Sequence, residues 1–261
     1  MSDTTLPASA SAYPTPPEAE AVIHPGPDVV PEPSAPETAA PETAAPETPP
    51  PEMPLLEASA VDAAVPSPGV ADEILDRVFR HARTAVRWTD ATIPEAVLHS
   101  LYDLVKLGPT SGNCSPARFV FLESRDSRER LRPALSAGNV ERTMSAAVTV
   151  IVASDPLFYE QLPRLYPQAE ARSWFAADAG LAEETAMRNS TLQGGYLILA
   201  ARMLGLDAAP MSGFDNAKVD DIFLSGQGWH SNFLVNLGYA DGLPEMPRSP
   251  RLTFDEACLL L

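Results

Sequence analysis

The stretch Gly108-Pro-Thr-Ser-Gly-Asn-Cys-Ser-Pro-Ala-Arg-Phe-Val-Phe-Leu122 sets a polar, turn-rich loop directly in front of a short apolar run. Its aromatic and branched residues from Ala117 to Leu122 predict a buried strand. Just upstream, Val97, Leu98, Leu101, Leu104 and Val105 form the stripe of a helix that opens at Pro94 and ends at Gly108-Pro109. An earlier helix carries Ile74, Leu75, Val78 and Phe79 behind the acidic pair Asp72 and Glu73. Two helices therefore precede the first strand. Downstream, a charged helix from Asp126 to Leu135 leads into a second strand, Ala146 to Ala153. A long Ala-rich helix from Leu181 to Leu204 follows, with Gly194-Gly195 at its middle, where small residues predict close packing against a flat surface. Met203, Leu204 and Leu206 at its end read as core. A strand at Phe233 to Leu237 and a helix at Phe254 to Leu261 complete the pattern. Helices outweigh strands and do not alternate regularly with them, so the class is α+β. The domain, residues 70 to 261, is long enough for one buried core.

The chain of 261 residues has 35 acids, 18 bases and 28 prolines, very unevenly distributed. Residues 1 to 69 hold 11 of the acids, none of the bases and 17 of the prolines, which leaves 24 acids against 18 bases in the domain. The near repeat Pro36-Glu-Thr-Ala-Ala, Pro41-Glu-Thr-Ala-Ala, Pro46-Glu-Thr-Pro-Pro has neither helical nor strand periodicity. Its prolines remove amide donors, and its glutamates repel one another without counter-charge. A solvated, disordered extension is expected, with a docking site for a proline-recognising partner as the alternative. The acidic balance disfavours nucleic acids and anionic lipid surfaces. Two distant cysteines, Cys114 and Cys258, match neither a disulfide framework nor a zinc site. With no apolar run long enough to span a membrane and no secretory signal pattern, a cytoplasmic protein is expected.

The four histidines, His24, His81, His99 and His230, show no metal-ligand spacing, and no metal is expected. Signatures of a serine hydrolase elbow, a Rossmann dinucleotide turn and a P-loop are absent from the sequence. If the chain is an enzyme, a cofactor carries the hard chemistry. Four segments have the polarity of an anion and ring site. Arg83-Thr84 with Arg87-Trp88 offers a guanidinium fork and a hydroxyl to a phosphate. The Gly108–Pro116 loop suits the edge of a flat heteroaromatic ring, or is an ordinary capped turn. Asn139 and Arg142 lie one helical turn apart. Within Pro210-Met-Ser-Gly-Phe-Asp215, Gly213 lets a backbone amide approach a ligand closely.

Taken in order from about Ala71 to the C-terminus, these segments resemble the flavin nitroreductase family. The runs Gly108 to Arg118, Ala171-Arg-Ser-Trp-Phe175 and Pro210 to Asp215 are similar to its branch of malonic semialdehyde reductases of pyrimidine degradation. The resemblance implies a mostly antiparallel sheet flanked by helices, and a homodimer with FMN at the interface. Arg83 and Thr84 would hold the FMN phosphate and ribityl chain. Arg87, or Arg251 and Arg248, would compensate for Val86, where many members have a second basic residue. Thr110, Ser111 and Asn113 would reach the flavin from the partner subunit. Ser115 replaces a glutamine of the general family, and Ser212 a frequent glutamate. Asn139 and Arg142 would meet the pyrimidine end of the ring system. Gly213, flanked by Pro210, Met211 and Ser212, would present its amide to flavin N5. NADPH or NADH would supply hydride, and 3-oxopropanoate, a short aldehyde acid, would accept it. Arg172 is the expected anchor of the substrate carboxylate, or else a surface arginine on a lid, with Arg118 and Arg188 as the other candidates. Cys114 is expected to pack rather than to react. A broad nitro- or quinone-reductase and a non-catalytic flavin-binding or partner-docking protein remain the other readings.

Overall fold

The computed structural model describes residues 71–261 apart from Leu243. The expected proline-rich extension lies outside the described residues. The chain runs α1 (Asp72–Leu75, widening into a π-turn over Asp76–Arg80), α2 (Glu95–Val105), β1 (Ala117–Leu122), α3 (Arg125–Leu131), α4 (Ala137–Met144) and β2 (Val148–Ser154). It continues through α5 (Leu162–Leu165), α6 (Ser173–Ala176), α7 (Ala179–Met203), β3 (Asp207–Met211), α8 (Asn216–Val219), β4 (His230–Gly238) and α9 (Phe254–Ala257). The four strands form one sheet in the order β1-β2-β4-β3, antiparallel at every step. The expected α+β class and helix-flanked antiparallel sheet are what the structure has.

Strand β2 occupies the middle of the sheet and every one of its residues is buried. Its continuous apolar run, instead of a polar alternation, follows from cover on both faces. Val148, Val150 and Val152 face the layer of α2 and α7, packing with Leu101, Val105, Leu197 and Ala201. Ile151 faces the other way, into Leu131, Ala134, Met211 and Val219. Residue alternation along the strand thus feeds two cores. The flat surface expected under Gly194-Gly195 is this sheet: a Cβ on Gly194 would stand 2.3 Å from the Phe233 ring, whereas one on Gly195 would meet nothing within 4 Å.

Several expectations need correction. The opening helix buries only Val78, and Phe79 is 56% exposed, because two turns on the surface have a single seam to press inward. Met203 is 57% exposed and Leu204 37%, since Ala200 and Ala201 take the buried side of the last turn of α7, while Leu206, beyond the positive-φ Gly205, is fully buried. The terminal helix is one turn, closed by a Thr253–Glu256 capping box and ended by the extended backbone of Cys258. The charged helix stops at Leu131 and tightens into a 3₁₀ turn at Arg132–Ala134 around Pro133. Strand β3 reads poorly in sequence because Asp207, two alanines and Pro210 have little strand propensity. It forms because it lies at the edge of the sheet, where a proline costs little.

Candidate functional site

The residues expected to carry chemistry separate onto the two edges of the sheet. On the β3 edge, the chain leaves Met211 and enters a tight turn in which Phe214 N–H donates to Ser212 O at 3.0 Å. Residues 134–136 clamp this turn: Asp215 N–H donates to Ala134 O, and Ser136 N–H to Gly213 O at 3.0 Å. The Asn139 side-chain amide also donates to Gly213 O, at 2.9 Å. With its carbonyl held twice, Gly213 leaves its own N–H without an acceptor among the described residues. A side chain at 213 would have no room, since a Cβ there would lie 2.6 Å from Asn139 Nδ2. Pro210 and Met211 belong to the strand itself, and Ser212 is exposed at its end.

Arg142 follows Asn139 by one turn of α4, so both side chains share a face. Its Nε is buried without a hydrogen-bond partner, and its guanidinium makes no ion pair among the described residues. A buried donor of this kind costs stability unless something accepts from it. A bound group with an acceptor or a negative charge would satisfy it. Trp88 fixes the same helix from outside, donating from Nε1 to Arg142 O at 2.9 Å and lying flat over Gly238, where a Cβ would be 2.7 Å from the ring. Thr143, next along α4, is held from below by the Asn236 amide at 3.1 Å and touches Met211 Sδ at 3.6 Å.

The segment that carries Trp88 also carries Arg83, Thr84 and Arg87, and it runs along β3 through Ala85 N–H to Ala208 O. Arg83 is half-buried and donates to Met246 O at 2.8 Å, while Thr84 and Arg87 are exposed. Arg248 turns one nitrogen onto three carbonyls, of Phe79, Arg80 and Ala82, and so caps the end of the opening helix. Arg251 folds onto the carbonyls of Ser249 and Pro250. Arg202 stands close by, donating to Val78 O. Burial lowers its pKa from the ordinary arginine value, with Asp207 opposing and the charge of Arg248 adding to the effect. The Arg83–Trp88 segment, the Gly213 turn and Arg142 therefore share one edge of the sheet.

Thr110, Ser111 and Asn113 lie at the other edge, in the loop before β1. Ser111 N–H donates to Asn189 Oδ1 at 2.9 Å, Asn113 Nδ2 to Leu165 O at 2.8 Å, and Thr110 Oγ1 accepts from Ser115 N–H at 3.1 Å. The loop is thus tied to α7 and α5. Three strand spacings of about 4.8 Å separate β1 from β3, roughly 14 Å in all. Cys114 is buried beneath this loop, and burial pushes its thiol up to about 11, as suits a packing residue. Arg172 closes its fork on Glu160, with contacts of 2.8 and 2.7 Å, so a substrate carboxylate would have to displace that partner. Arg118 pairs with Asp155 at 2.5 Å and Arg188 with Glu184. Sequence reasoning passed over Ser136, the structural part of Trp88, and Arg202. The first is an isolated serine without a motif, and the others act through contacts with residues far away in the chain.

A model of the family described as Nitroreductase family matches residues 66–239. A Burkholderia lata protein named "Putative NADH dehydrogenase/NAD(P)H nitroreductase" is 59% identical over 187 residues, which cover 72% of this chain and 96% of that protein. A Ralstonia nicotianae protein of the same descriptive name is 52% identical over 194 residues, 74% of this chain and 100% of that one. Among solved structures, a Bacillus subtilis nitroreductase superposes with a TM-score of 0.67 at 20% identity, covering 73% of this chain and 100% of its own. An Exiguobacterium sibiricum nitroreductase solved in complex with FMN gives 0.64 at 19% identity, covering 74% and 99%. At those identities the structural likeness is one of fold, whereas the family model and the two close relatives span most of the domain. The chain belongs to the nitroreductase family.

Proposed function

We propose that the protein is an FMN-dependent NAD(P)H oxidoreductase whose cofactor lies along the β3 edge of the sheet. The observation that carries this reading is the orphaned, buried Nε of Arg142 beside a glycine turn whose amide N–H is left without an acceptor. Both are donors, and an oxidised flavin offers acceptors to both, N5 to the amide and the carbonyl edge of its pyrimidine ring to the guanidinium. Arg142 and Asn139 would hold the pyrimidine end, Gly213 would face N5, and Arg83, Thr84 and Arg251 would take the phosphate. Arg87 and Arg248 complete the cation set, Arg248 through nitrogens not engaged in its cap. When bound, FMN supplies hydride transfer between the nicotinamide donor and an acceptor. The chain's own part is positioning and electrostatics: a buried cation at 142 favours the negative charge that reduction puts on the ring edge. The names of the two close relatives support NAD(P)H as the donor.

A homodimer belongs to the same proposal. Thr110, Ser111 and Asn113 stand across the sheet from Gly213, so one copy's loop would serve the other copy's cofactor. The outer face of α7, with Leu181, Met187 and Leu192 exposed, offers apolar surface for that contact. For the acceptor we propose 3-oxopropanoate, reduced to 3-hydroxypropanoate as in pyrimidine degradation. This rests on the resemblance of residues 108–118, 171–175 and 210–215. The test is a visible spectrum of the purified protein: a flavin band that bleaches on addition of NADPH or NADH and returns with 3-oxopropanoate. A colourless protein that binds no FMN and oxidises neither nucleotide refutes the enzyme reading. Recolouring by a nitroarene or a quinone alone moves the function to a broad reductase.

A further inference from the structure

A cavity of about 780 Å³ opens between α2, β1 and the turn-and-helix segment Phe158–Leu165. Residues 106–116 join the C-terminal end of α2 to the N-terminal end of β1, so Lys106, Arg118 and Asn113 belong to one end of it. Arg164 joins them there through α5, because Asn113 Nδ2 donates to the carbonyl of the adjacent Leu165. Glu95 opens α2 and Glu123 follows β1, which puts both acids at the opposite end, Glu123 roughly 16 Å along the strand from Arg118. Among the lining residues the bases therefore gather where the cavity meets the Asn113 loop and the acids at its far end, with Lys106 and Arg118 each paired to an aspartate outside the lining.

We infer that the end at the Asn113 loop receives the carboxylate of the acceptor and that Arg164 is its anchor. The inference rests on the proposed reduction of a short aldehyde acid. The other cations are already matched with carboxylates: Lys106 with Asp103 at 2.5 Å, Arg118 with Asp155 at 2.5 Å, Arg172 with Glu160 and Arg188 with Glu184. Arg164 has only a neutral partner among the described residues, the Gln161 side-chain oxygen at 3.3 Å. An incoming carboxylate can take its fork without displacing a fixed charge. The Asn113 bond to Leu165 O holds the backbone beside Arg164 next to the loop that would serve the partner's cofactor. A three-carbon acid held there by its carboxylate carries its aldehyde carbon only two bonds further.

The experiment compares full-length, FMN-loaded wild type, Arg164→Ala, Arg164→Lys and Arg172→Ala. It measures NADPH oxidation with 3-oxopropanoate and with a neutral quinone, and inhibition of the quinone reaction by 3-hydroxypropanoate. Arg164→Ala should raise KM for 3-oxopropanoate about 10- to 100-fold, the effect of losing a charge-assisted bidentate contact. Its FMN content and its quinone kcat should be unchanged, and 3-hydroxypropanoate should lose potency by a similar factor. Arg164→Lys should recover part of the loss, as a charge without the planar fork. If wild type reduces 3-oxopropanoate and Arg164→Ala keeps its KM and its inhibition, Arg164 is not the anchor; a raised KM in Arg172→Ala alone moves that role to Arg172. If wild type reduces the quinone but neither reduces 3-oxopropanoate nor is inhibited by 3-hydroxypropanoate, this inference and the aldehyde-acid reading fall together.

Discussion

Replacing Arg142 by methionine should move the stability of the apoprotein and its affinity for FMN in opposite directions. Methionine keeps an apolar stem as far as the Nε position and ends there in a methyl group, so the buried Nε, which has no partner among the described residues, is lost with the rest of the guanidinium. An unsatisfied buried donor costs about 1–3 kcal/mol, and that cost disappears in the variant. At roughly 2–4 °C per kcal/mol for a domain of this size, flavin-free Arg142→Met should melt several degrees above flavin-free wild type. In the holoprotein the same nitrogen is proposed to donate to a flavin that becomes anionic on reduction. A hydrogen bond from a charged group contributes about 1.5–3 kcal/mol, so FMN should bind roughly 10- to 100-fold more weakly to the variant. Thermal melts of the flavin-stripped proteins and titration of FMN fluorescence quenching give the two numbers. An apoprotein that melts lower and binds FMN as wild type does would refute the assignment, because Arg142 would then be a structural residue unconnected with the cofactor.

Gly213→Ala sets a methyl group 2.6 Å from Asn139 Nδ2 and should break the Asn139–Gly213 bond, lowering FMN affinity about tenfold; an unchanged dissociation constant would detach this turn from the site. Gly194→Ala drives a Cβ to 2.3 Å from Phe233 and should destabilise the fold by about 1–3 kcal/mol, read as a lower denaturant midpoint with an unchanged slope. A thiol reagent at pH 8 should label Cys258 in the native protein and reach Cys114 only after unfolding; two rapid native equivalents would contradict the buried, protonated thiol. Because burial raises the folded Cys114 pKa to about 11, above the ordinary thiol value of 9.0, its contribution to stability is complete below pH 9 and is lost as pH rises towards 11. Cys114→Ala should remove that alkaline loss.

Elements whose residues alternate or repeat strongly were legible from sequence. The bounds expected for β1 are those found, and α7 begins and ends within two residues of its expectation. Strand β3 was not legible, since Asp207-Ala-Ala-Pro-Met211 owes its conformation to the ladder with β4 and not to its own propensities. Helix α4 was visible only as the spacing of Asn139 and Arg142, because its eight residues bury a single threonine and leave no apolar stripe to read. In the site, the residue types were legible and their partners were not. Nothing in the sequence around Arg172 says that Glu160 closes its fork, and nothing around Arg164 says that its partner among the described residues is a neutral glutamine.

The sequence by itself determined the family, the α+β class and the set of polar residues that could serve a flavin, because local periodicity and ordered motifs are properties of neighbouring residues. Only the tertiary structure decided how that set is divided. The strand order β1-β2-β4-β3 sends the Asn113 loop to one edge and the Gly213 turn to the other. Strand order depends on pairing between residues far apart in the chain, and contacts at the same long range give Arg118 and Arg172 their carboxylates, Asp155 and Glu160.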